Sequence, residues 1–247
     1  MKKPLGVILY DGSSVLDGEP IVVIATFNSK NVKTGNMVQT WILKSDVAPM
    51  EASSTGQDYS ICGACPHRHY LNGSCYVDQS RAPTMVYKAY KNNAYPTYDS
   101  SLHAKYFKNR KLRLGAYGDP AAVPFSVWDD LISNTELDGH TGYTHQIRHT
   151  KFDIRILRYC MASADTPKQA LAHQNLGART FRVKTTDAPM LPNEIECLSD
   201  SKNMECLDCL LCSGSKAPKN IVINVHGSKA SRYTQKFSKA NLIAVSN

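Results

Sequence analysis

Cysteine dominates the potential chemistry of this chain: eight cysteines occur among 247 residues, and seven of them fall into two groups. The first group lies in the stretch SICGACPHRHYLNGSCYV and consists of Cys62, Cys65 and Cys75, with His67 and His69 between them. So dense a set of soft ligands predicts a metal or iron–sulfur centre in a loop. Three thiolates leave one metal position to be filled by another ligand. If a histidine fills it, the group is a zinc site of three cysteines and one histidine. If water or a small molecule fills it, the group is an iron–sulfur cluster with one open iron.

The second group contains four cysteines: Cys197, Cys206, Cys209 and Cys212. Two residues separate each neighbouring pair of the last three, a spacing similar to the run that wraps a four-iron cluster in bacterial ferredoxins. Four thiolates close a site, so we expect either a zinc ion or an iron–sulfur cluster that serves structure or electron transfer. Oxidised cysteine pairs and free thiols are the other interpretations. The eighth, Cys160, lies in a predicted strand and is expected to be a small buried hydrophobe.

Three further sets of polar residues have two interpretations each. Gly118 and Asp119 form a Gly-Asp-Pro turn after a predicted strand, where the carboxylate either contacts the amine of a ligand or caps the backbone. His145 either faces a pocket from a strand end or is a satisfied core residue. Four arginines form either an anion-binding floor or a solvated face: Arg155, Arg158, Arg179 and Arg182.

Local sequence patterns place these residues on strands, helices and loops. Runs of β-forming residues around DGSS and DGEP predict an N-terminal hairpin at residues 6–10 and 21–27. Further strands are predicted at 37–43, 111–117, 142–147, 154–160, 181–183 and 220–225. Helices are predicted at 84–92, at 124–134 and from Thr166, where Pro167, Gln169 and Gly177 provide a first-position proline, a capping box and a left-handed end.

This order predicts an α/β fold, either a partial (β/α) barrel or a parallel sheet, with an N-terminal β-hairpin and a cysteine-rich C-terminal insertion. We expect a single domain over residues 1–247, divided into a β extension at 1–36, the α/β core at 37–195, a metal-binding insertion at 196–216, and a last strand with a basic, partly mobile tail at 217–247. Ligands of such sheets gather at the carboxyl ends of strands. The first cysteine loop, the Gly-Asp-Pro turn and residues 162–165 are all expected there.

The composition limits the class of protein. A hydrophobic content of 42% suffices for a substantial core, and a net charge of +8 suits contact with phosphates or acidic surfaces as well as plain solubility. Acidic residues interrupt the N-terminal apolar runs, and no run approaches the ~20 residues of a membrane span. We therefore expect a cytoplasmic protein without membrane association, in the host cytoplasm if it is viral. A reducing compartment favours metal ligation over disulfides, and secretion would reverse that expectation.

A strand is followed by the three-cysteine loop, a helix, a strand with a Gly-acid-Pro turn and, later, the four-cysteine segment. In this order of elements the chain resembles the radical S-adenosylmethionine (SAM) enzymes over about residues 37–225. The resemblance implies that the first cysteine group holds a 4Fe-4S cluster whose open iron binds the amino and carboxylate groups of SAM. It also implies that Gly118 and Asp119 lie near the methionine part of SAM and that the second group holds an auxiliary cluster. Reduction of SAM would then give a carbon radical that abstracts hydrogen from a small molecule or a nucleic-acid base.

Two features define the limits of this resemblance. The cysteine gaps are two and nine residues here, against the family's usual three and two, and Tyr76 follows the last cysteine instead of preceding it. The chain also resembles cysteine-rich proteins of tailed phages, through its CGxCPxR and CYV patterns. That second resemblance implies a setting and no activity.

The alternative hypothesis is a zinc-stabilised nucleic-acid-binding protein without catalysis, of a phage or plasmid replication or host-takeover type. Its phosphate contacts would come from the basic tail and from one basic stretch: Lys105, Lys108, Arg110, Lys111 and Arg113. Bases would stack on four tyrosines: Tyr90, Tyr95, Tyr98 and Tyr106. A third hypothesis is a structural or host-interaction protein in which metals only hold the loops.

Overall fold

Ten strands in two five-stranded sheets form the framework of the computed structural model, which describes residues 3–29 and 31–242. The strands are β1 (Gly6–Ser13), β2 (Pro20–Thr26), β3 (Val38–Lys44), β4 (Leu112–Tyr117), β5 (His140–Thr141), β6 (Tyr143–Thr144), β7 (Met161–Ala164), β8 (Thr180–Lys184), β9 (Glu194–Glu196) and β10 (Asn220–Asn224).

The α-helices of the described residues vary from one turn to thirteen residues. They are α1 (Pro49–Thr55), α2 (Tyr59–Cys62), α3 (Ala82–Lys91), α4 (Ser100–His103), α5 (Phe125–Asn134), α6 (Pro167–Gln174), α7 (Leu198–Ser201), α8 (Cys206–Cys209) and α9 (Ala230–Leu242).

The strand order confirms the predicted α/β class and the N-terminal hairpin. In the first sheet, β1, β2 and β3 pair antiparallel, and β3, β4 and β5 then pair parallel. In the second sheet the order is β6-β7-β8-β10-β9, and every pair is parallel. Because the short strands β5 and β6 flank a single residue, Gly142, the parallel strands follow one another from the first sheet into the second.

Position 142, where the chain passes between the sheets, requires glycine because the neighbouring atoms leave no room for a side chain. A Cβ atom there would lie 2.6 Å from the Cys160 sulfur and 3.0 Å from the Tyr159 carbonyl oxygen. The Gly142 N–H donates to the Cys212 carbonyl (3.1 Å), and its own carbonyl accepts from the Met161 N–H (2.9 Å). Cys160 is buried, as its sequence context predicts.

The predicted helix α6 and strand β8 form, and α6 connects two parallel strands as expected, but the first of these strands is β7 and not residues 154–160. The Thr166 hydroxyl accepts from the Gln169 N–H (3.1 Å), Pro167 occupies the first turn, and Gly177 has a positive φ of 80°. The capping box is not reciprocal, since the Gln169 side chain accepts from the Asp165 N–H (2.8 Å) instead of that of Thr166. The first turn of α6 therefore also holds the backbone of Asp165, the first residue after β7.

The strand predicted at 154–160 is wrong. Residues Ile154–Arg158 form a 3-10 turn, which begins with the Asp153 carboxylate accepting the Arg155 N–H (3.0 Å), and the strand is the following segment β7. A capping aspartate preceded the apolar run and outweighed its β propensity. The strand predicted at 142–147 shrinks to β6, because the Gln146 N–H turns back to the Thr144 hydroxyl (3.0 Å).

The predicted last strand forms as β10, and the basic tail after it contains a helix, α9, that was not predicted. Residues 243–247 of the tail lie outside the described residues. The inner face of α9 buries Tyr233, Phe237 and Asn241. The Tyr233 hydroxyl donates to the carbonyls of Asp165 (2.9 Å) and Val183 (2.6 Å), so α9 packs on the carboxyl ends of β7 and β8.

The largest core lies against the first sheet, and α5 contributes to it as predicted. Phe125, Trp128 and Leu131 are buried on one helical face, and each such side chain stabilises the fold by roughly 1.5–3 kcal/mol. The Trp128 indole donates to the Pro120 carbonyl (2.9 Å), which satisfies its buried N–H. None of the helices in the described ranges is long and apolar enough to cross a membrane.

Candidate functional site

The first cysteine group begins at Cys62, the last residue of α2, and continues in the loop that follows, beyond the carboxyl end of β3. Burial raises the pKa of each of the three thiols. The charges of Cys65 and Cys75 raise the pKa of Cys62 further, and the charge of Cys75 raises that of Cys65. The charge of one thiolate would therefore act on its neighbours, and burial favours the protonated thiol form of all three.

Gln146 ties this loop to the ends of neighbouring strands. Its side-chain NH2 group donates to the Cys62 carbonyl (2.8 Å) and to the Asp119 carboxylate (3.2 Å), while its carbonyl oxygen accepts from the Ala64 N–H (3.0 Å). Gly63 lies against this amide with a φ of 51°, and a Cβ atom there would fall 2.1 Å from the Gln146 oxygen. The close approach explains the glycine of the CGxC pattern.

Gly118 and Asp119 occupy the carboxyl end of β4 and hold the backbone there. Gly118 has a φ of 83°, and a Cβ atom on it would lie 2.6 Å from the Cβ of Ile42 in β3. The Asp119 carboxylate accepts from the N–H groups of Ala121 (3.0 Å) and His145 (2.8 Å), so both its oxygens bind protein groups. Burial raises the pKa of Asp119, and these hydrogen bonds oppose the increase. The geometry is that of the backbone cap.

A buried ion pair anchors the far side of the loop. The Arg68 guanidinium binds the Asp58 carboxylate through Nε (2.8 Å), and both side chains are under 10% exposed. Arg68 also donates to the Gly63 carbonyl (3.3 Å). Burial raises the pKa of Asp58 despite the opposing charge of Arg68. Asp58 precedes Cys62 and Arg68 follows Cys65, so the pair joins the two sides of this part of the loop. Removing either partner would leave the other as an unpaired buried charge.

Three side chains converge beside the first cysteine group: His67 from the loop itself, His145 after β6, and Asp165 after β7. One ligand atom from each lies within 4.8 Å of the other two, and the residues described contain no second such trio of His, Cys, Asp or Glu. Burial lowers the pKa of His145 to about 4. Burial alone would raise the pKa of Asp165, but the hydrogen bond from His67 and nearby positive charges lower it.

The ring of His67 is held at both nitrogens. Nδ1 lies 2.8 Å from the Ser74 hydroxyl and Nε2 lies 2.8 Å from the Asp165 carboxylate. His69, the other histidine of the loop, is exposed on a 3-10 turn. His67 is therefore oriented towards Asp165, and the geometry gives no support to a zinc site made of the first cysteine group and one of these two histidines.

Tyr117, at the end of β4, presents a buried hydroxyl to the same region. Its oxygen has no hydrogen-bond partner among the described residues. Burial raises its pKa, as do the charges of Cys62, Asp58 and Cys75. An unpaired buried hydroxyl is costly, and this one lies within electrostatic reach of the first cysteine group. Sequence reasoning missed it, since a tyrosine ending an alternating strand resembles any core residue.

The second cysteine group lies in the insertion between β9 and β10. Burial raises the pKa of Cys212 to about 12, and the charges of Cys197, Cys206 and Cys209 raise it as well, so all four sulfurs are within electrostatic reach. The Cys206 N–H donates to the Lys33 carbonyl (2.9 Å), ahead of β3. The Cys212 carbonyl accepts from Gly142, ahead of β6.

The two groups consequently border opposite ends of the parallel strands. The first borders residues that follow strands, such as Asp119 and Asp165, whereas the second borders residues that precede them. Arg113, in β4, lies between the two groups: its guanidinium donates to the Tyr76 hydroxyl (2.7 Å), next to Cys75, and its charge lowers the pKa of Cys206. Its Nε is buried without a hydrogen-bond partner among the described residues.

The four arginines considered as an anion-binding floor do not gather at one place. Arg155 pairs with Asp153 (2.6 Å), and both Arg155 and Arg158 lie over the Phe125 ring. Arg179 donates to the Leu211 carbonyl (2.8 Å) and so holds the cysteine-rich insertion. Arg182 forms a fully buried pair with Glu194 (2.6 Å). Neither predicted role, floor or solvated face, describes the last two.

The basic stretch proposed for nucleic-acid contact makes internal contacts at all five of its residues, and Lys105 does so through the ring of Tyr106 (5.3 Å to the centroid). Lys108 pairs with Glu136 (2.9 Å) and Lys111 with Asp138 (3.5 Å). Arg110 donates to the Phe27 carbonyl (2.8 Å), and Arg113 faces the second cysteine group. Of the four tyrosines, Tyr95 is buried, Tyr98 has a buried hydroxyl, Tyr90 donates to Asp11 (3.0 Å) and Tyr106 packs on Phe27. These contacts give the nucleic-acid hypothesis no support.

The loop cysteines and His145 were singled out from their spacing and position, but the partners that orient them were not. Gln146 lay inside the strand predicted at 142–147, Asp165 was indicated only by the strand edge expected at 162–165, and the Asp58–Arg68 pair spans ten residues without a recognisable motif. Comparisons with protein-family models, with curated proteins and with solved structures gave no match for this chain.

Proposed function

We propose that this chain is a radical-SAM-like iron–sulfur enzyme that acts on a small molecule or a nucleic-acid base. Cys62, Cys65 and Cys75 hold a 4Fe-4S cluster with one open iron, and the four cysteines of the second group hold a closed cluster. The observation that supports the proposal is the position of the loop: Cys62, Cys65 and Cys75 lie beside the carboxyl ends of successive parallel strands, and the charges of Cys65 and Cys75 raise the pKa of Cys62. Ligand sites of parallel α/β sheets lie at that edge.

The described residues contain no compact trio of sulfurs of the kind that a single tetrahedral zinc ion requires. Tetrahedral zinc with bonds of about 2.3 Å brings its sulfurs to within about 4 Å of each other. Neither cysteine group has three sulfurs within 4.8 Å in the ranges 3–29 and 31–242, where the histidine–aspartate trio alone meets that limit. A four-iron cluster spreads its thiolates further apart, because each iron binds one of them.

The protein groups around the first cysteine group position its loop and set the electrostatic environment of its thiols. Asp119 and Gln146 hold the loop to the strand ends, and Asp119 acts on the site through the His145 backbone and the Gln146 amide that it binds. Tyr117 offers a hydroxyl without a partner. When bound, the cluster and SAM supply the electron transfer and radical chemistry, while these residues set geometry and electrostatics.

Protein purified without oxygen provides the test. We expect a brown protein with iron and acid-labile sulfide, and SAM cleavage when it is reduced. Cys65→Ser should abolish SAM cleavage and lower the iron content. Cys160→Ala is the matched control: this cysteine is also buried but lies outside both groups, so its replacement should preserve colour and cleavage.

Two results would contradict the proposal. One is a colourless protein that contains zinc at both cysteine groups. The other is a brown protein in which Cys65→Ser cleaves SAM as fast as the unaltered chain.

A further inference from the structure

The trio of His67, His145 and Asp165 has a ligand set distinct from both cysteine groups, since it offers two imidazole nitrogens and one carboxylate oxygen within 4.8 Å. Each residue comes from a different segment at the carboxyl edge of the strands: the cysteine loop, the turn after β6 and the turn after β7. Residues so far apart in the chain meet there only because the parallel strands align their ends.

The ring of His67 is oriented as a metal ligand would be. Its Nδ1 lies 2.8 Å from the Ser74 hydroxyl, so Nε2 points to the Asp165 carboxylate, also 2.8 Å away. A hydrogen bond at the far nitrogen is the usual device that fixes a ligating imidazole. His145 meets His67 edge to face, with ring centroids 5.4 Å apart and an angle of 70° between the planes.

Asp165 is fixed from its backbone. Its N–H donates to the Gln169 side chain (2.8 Å), and its carbonyl accepts from the Tyr233 hydroxyl and the Asn241 amide (2.9 Å each). The carboxylate is thereby held against the two imidazoles with its side chain only 3% exposed. Buried carboxylates are normally paired with a charge or coordinate a metal, and the side chain hydrogen-bonded to this one is a histidine.

We propose that His67, His145 and Asp165 together bind one divalent transition-metal ion, such as Zn2+ or Fe2+. Two imidazoles and one carboxylate are a ligand set that leaves coordination positions for water or a substrate oxygen. The site contains no sulfur, so it differs in chemistry from the cysteine groups beside it. It also stands independently of the iron–sulfur proposal, because no cysteine is one of its ligands.

Co2+ added to the metal-depleted full-length chain is the probe. We expect one equivalent to bind with weak visible bands and without thiolate-to-metal charge transfer, in addition to any Co2+ held by cysteines. His145→Gln should remove that equivalent while leaving the His67–Asp165 hydrogen bond in place. His69→Ala, an exposed histidine of the same loop, is the matched control and should bind as before.

Ser74→Ala sharpens the test, because Ser74 touches the ring of His67 and is not itself a ligand. Its loss should weaken Co2+ affinity at this site by roughly 10–100-fold. A purely structural His67–Asp165 pair predicts instead that His145→Gln leaves Co2+ binding unchanged, and that result would overturn the proposal. So would a wild-type spectrum showing only sulfur-bound cobalt. A chain that lacks any iron–sulfur cluster but binds this equivalent would refute the proposed function and leave the metal site standing.

Discussion

The two cysteine groups are built in contrasting ways. The first has three thiols on a loop that other residues hold in place, through Gln146, Asp119 and the Arg68–Asp58 pair. The second has four thiols on short turns within an insertion that is attached mainly through its backbone groups, by hydrogen bonds at Cys206 and Cys212 and by Arg179. The first borders the carboxyl ends of the strands and the second borders their amino ends. In parallel α/β folds the former is the usual place for chemistry and the latter for stability.

The largest expected effect is a difference in how much each cysteine group contributes to the free energy of unfolding. Cys209→Ser should lower the free energy of unfolding by more than about 5 kcal/mol, since a bound structural metal supplies folding energy directly. Cys65→Ser should cost less than half as much, because protein hydrogen bonds also hold that loop. Urea unfolding of both anaerobically prepared variants measures the difference, and equal losses would remove the distinction between a structural and a functional group.

The second prediction concerns the ion pair that anchors the first group. Arg68→Ala leaves the buried Asp58 carboxylate without its partner and should cost about 3–5 kcal/mol of stability. It should also lower metal content at the first group while the second keeps its metal. Arg81→Ala is the control, because its pair with Asp78 is solvent-exposed on both sides. Equal metal loss from both groups would mean that the anchor serves the whole fold.

A smaller effect is expected from the amide that joins the loop to the strand ends. Gln146→Ala removes hydrogen bonds to Cys62 and Asp119 and should cost about 1–3 kcal/mol. Metal bound at the first group should become easier to chelate, with no change at the second. Gln57→Ala, which removes an exposed amide, should alter neither. Unchanged chelation in Gln146→Ala would show that the loop keeps its shape without this amide.

The smallest expected change in stability comes from the unpaired hydroxyl near the first group. Tyr117→Phe removes a buried oxygen that has no partner among the described residues, so stability should change by less than about 1 kcal/mol. The reduction potential measured at the first group should nevertheless shift, whereas that of the second should not. A loss of several kcal/mol would instead indicate that the hydroxyl makes a hydrogen bond in solution.

The sequence predicted the parts of the scaffold that carried a local signal and missed others, such as β9 and α9. Thr166, Pro167 and Gly177 marked α6, and alternating basic and apolar residues marked β4. The strand predicted at 154–160 failed where a local cap competed with β propensity, at Asp153. Such competition is resolved by a side-chain hydrogen bond that residue composition does not show.

The sequence revealed only some of the residues that form each candidate site. Cysteine spacing revealed which thiols belong together, but the orientation of His67 depends on Ser74 and on Asp165, which lies 98 positions away. The same limit applies to Arg113, which belongs to a basic stretch in the sequence but whose charge lowers the pKa of Cys206 in the fold. Partners that meet only through strand alignment leave no trace in local patterns.

The position of α9 has a consequence for how the protein is made. Lys236 donates to the Pro66 carbonyl (3.2 Å), and the rings of Tyr233 and Phe237 lie about 6 Å from that of His67. Because synthesis runs from the N-terminus, the cysteine loop leaves the ribosome before this helix does. Until the helix docks, the loop lacks this cover, so its thiols are more accessible on the emerging polypeptide than in the folded protein.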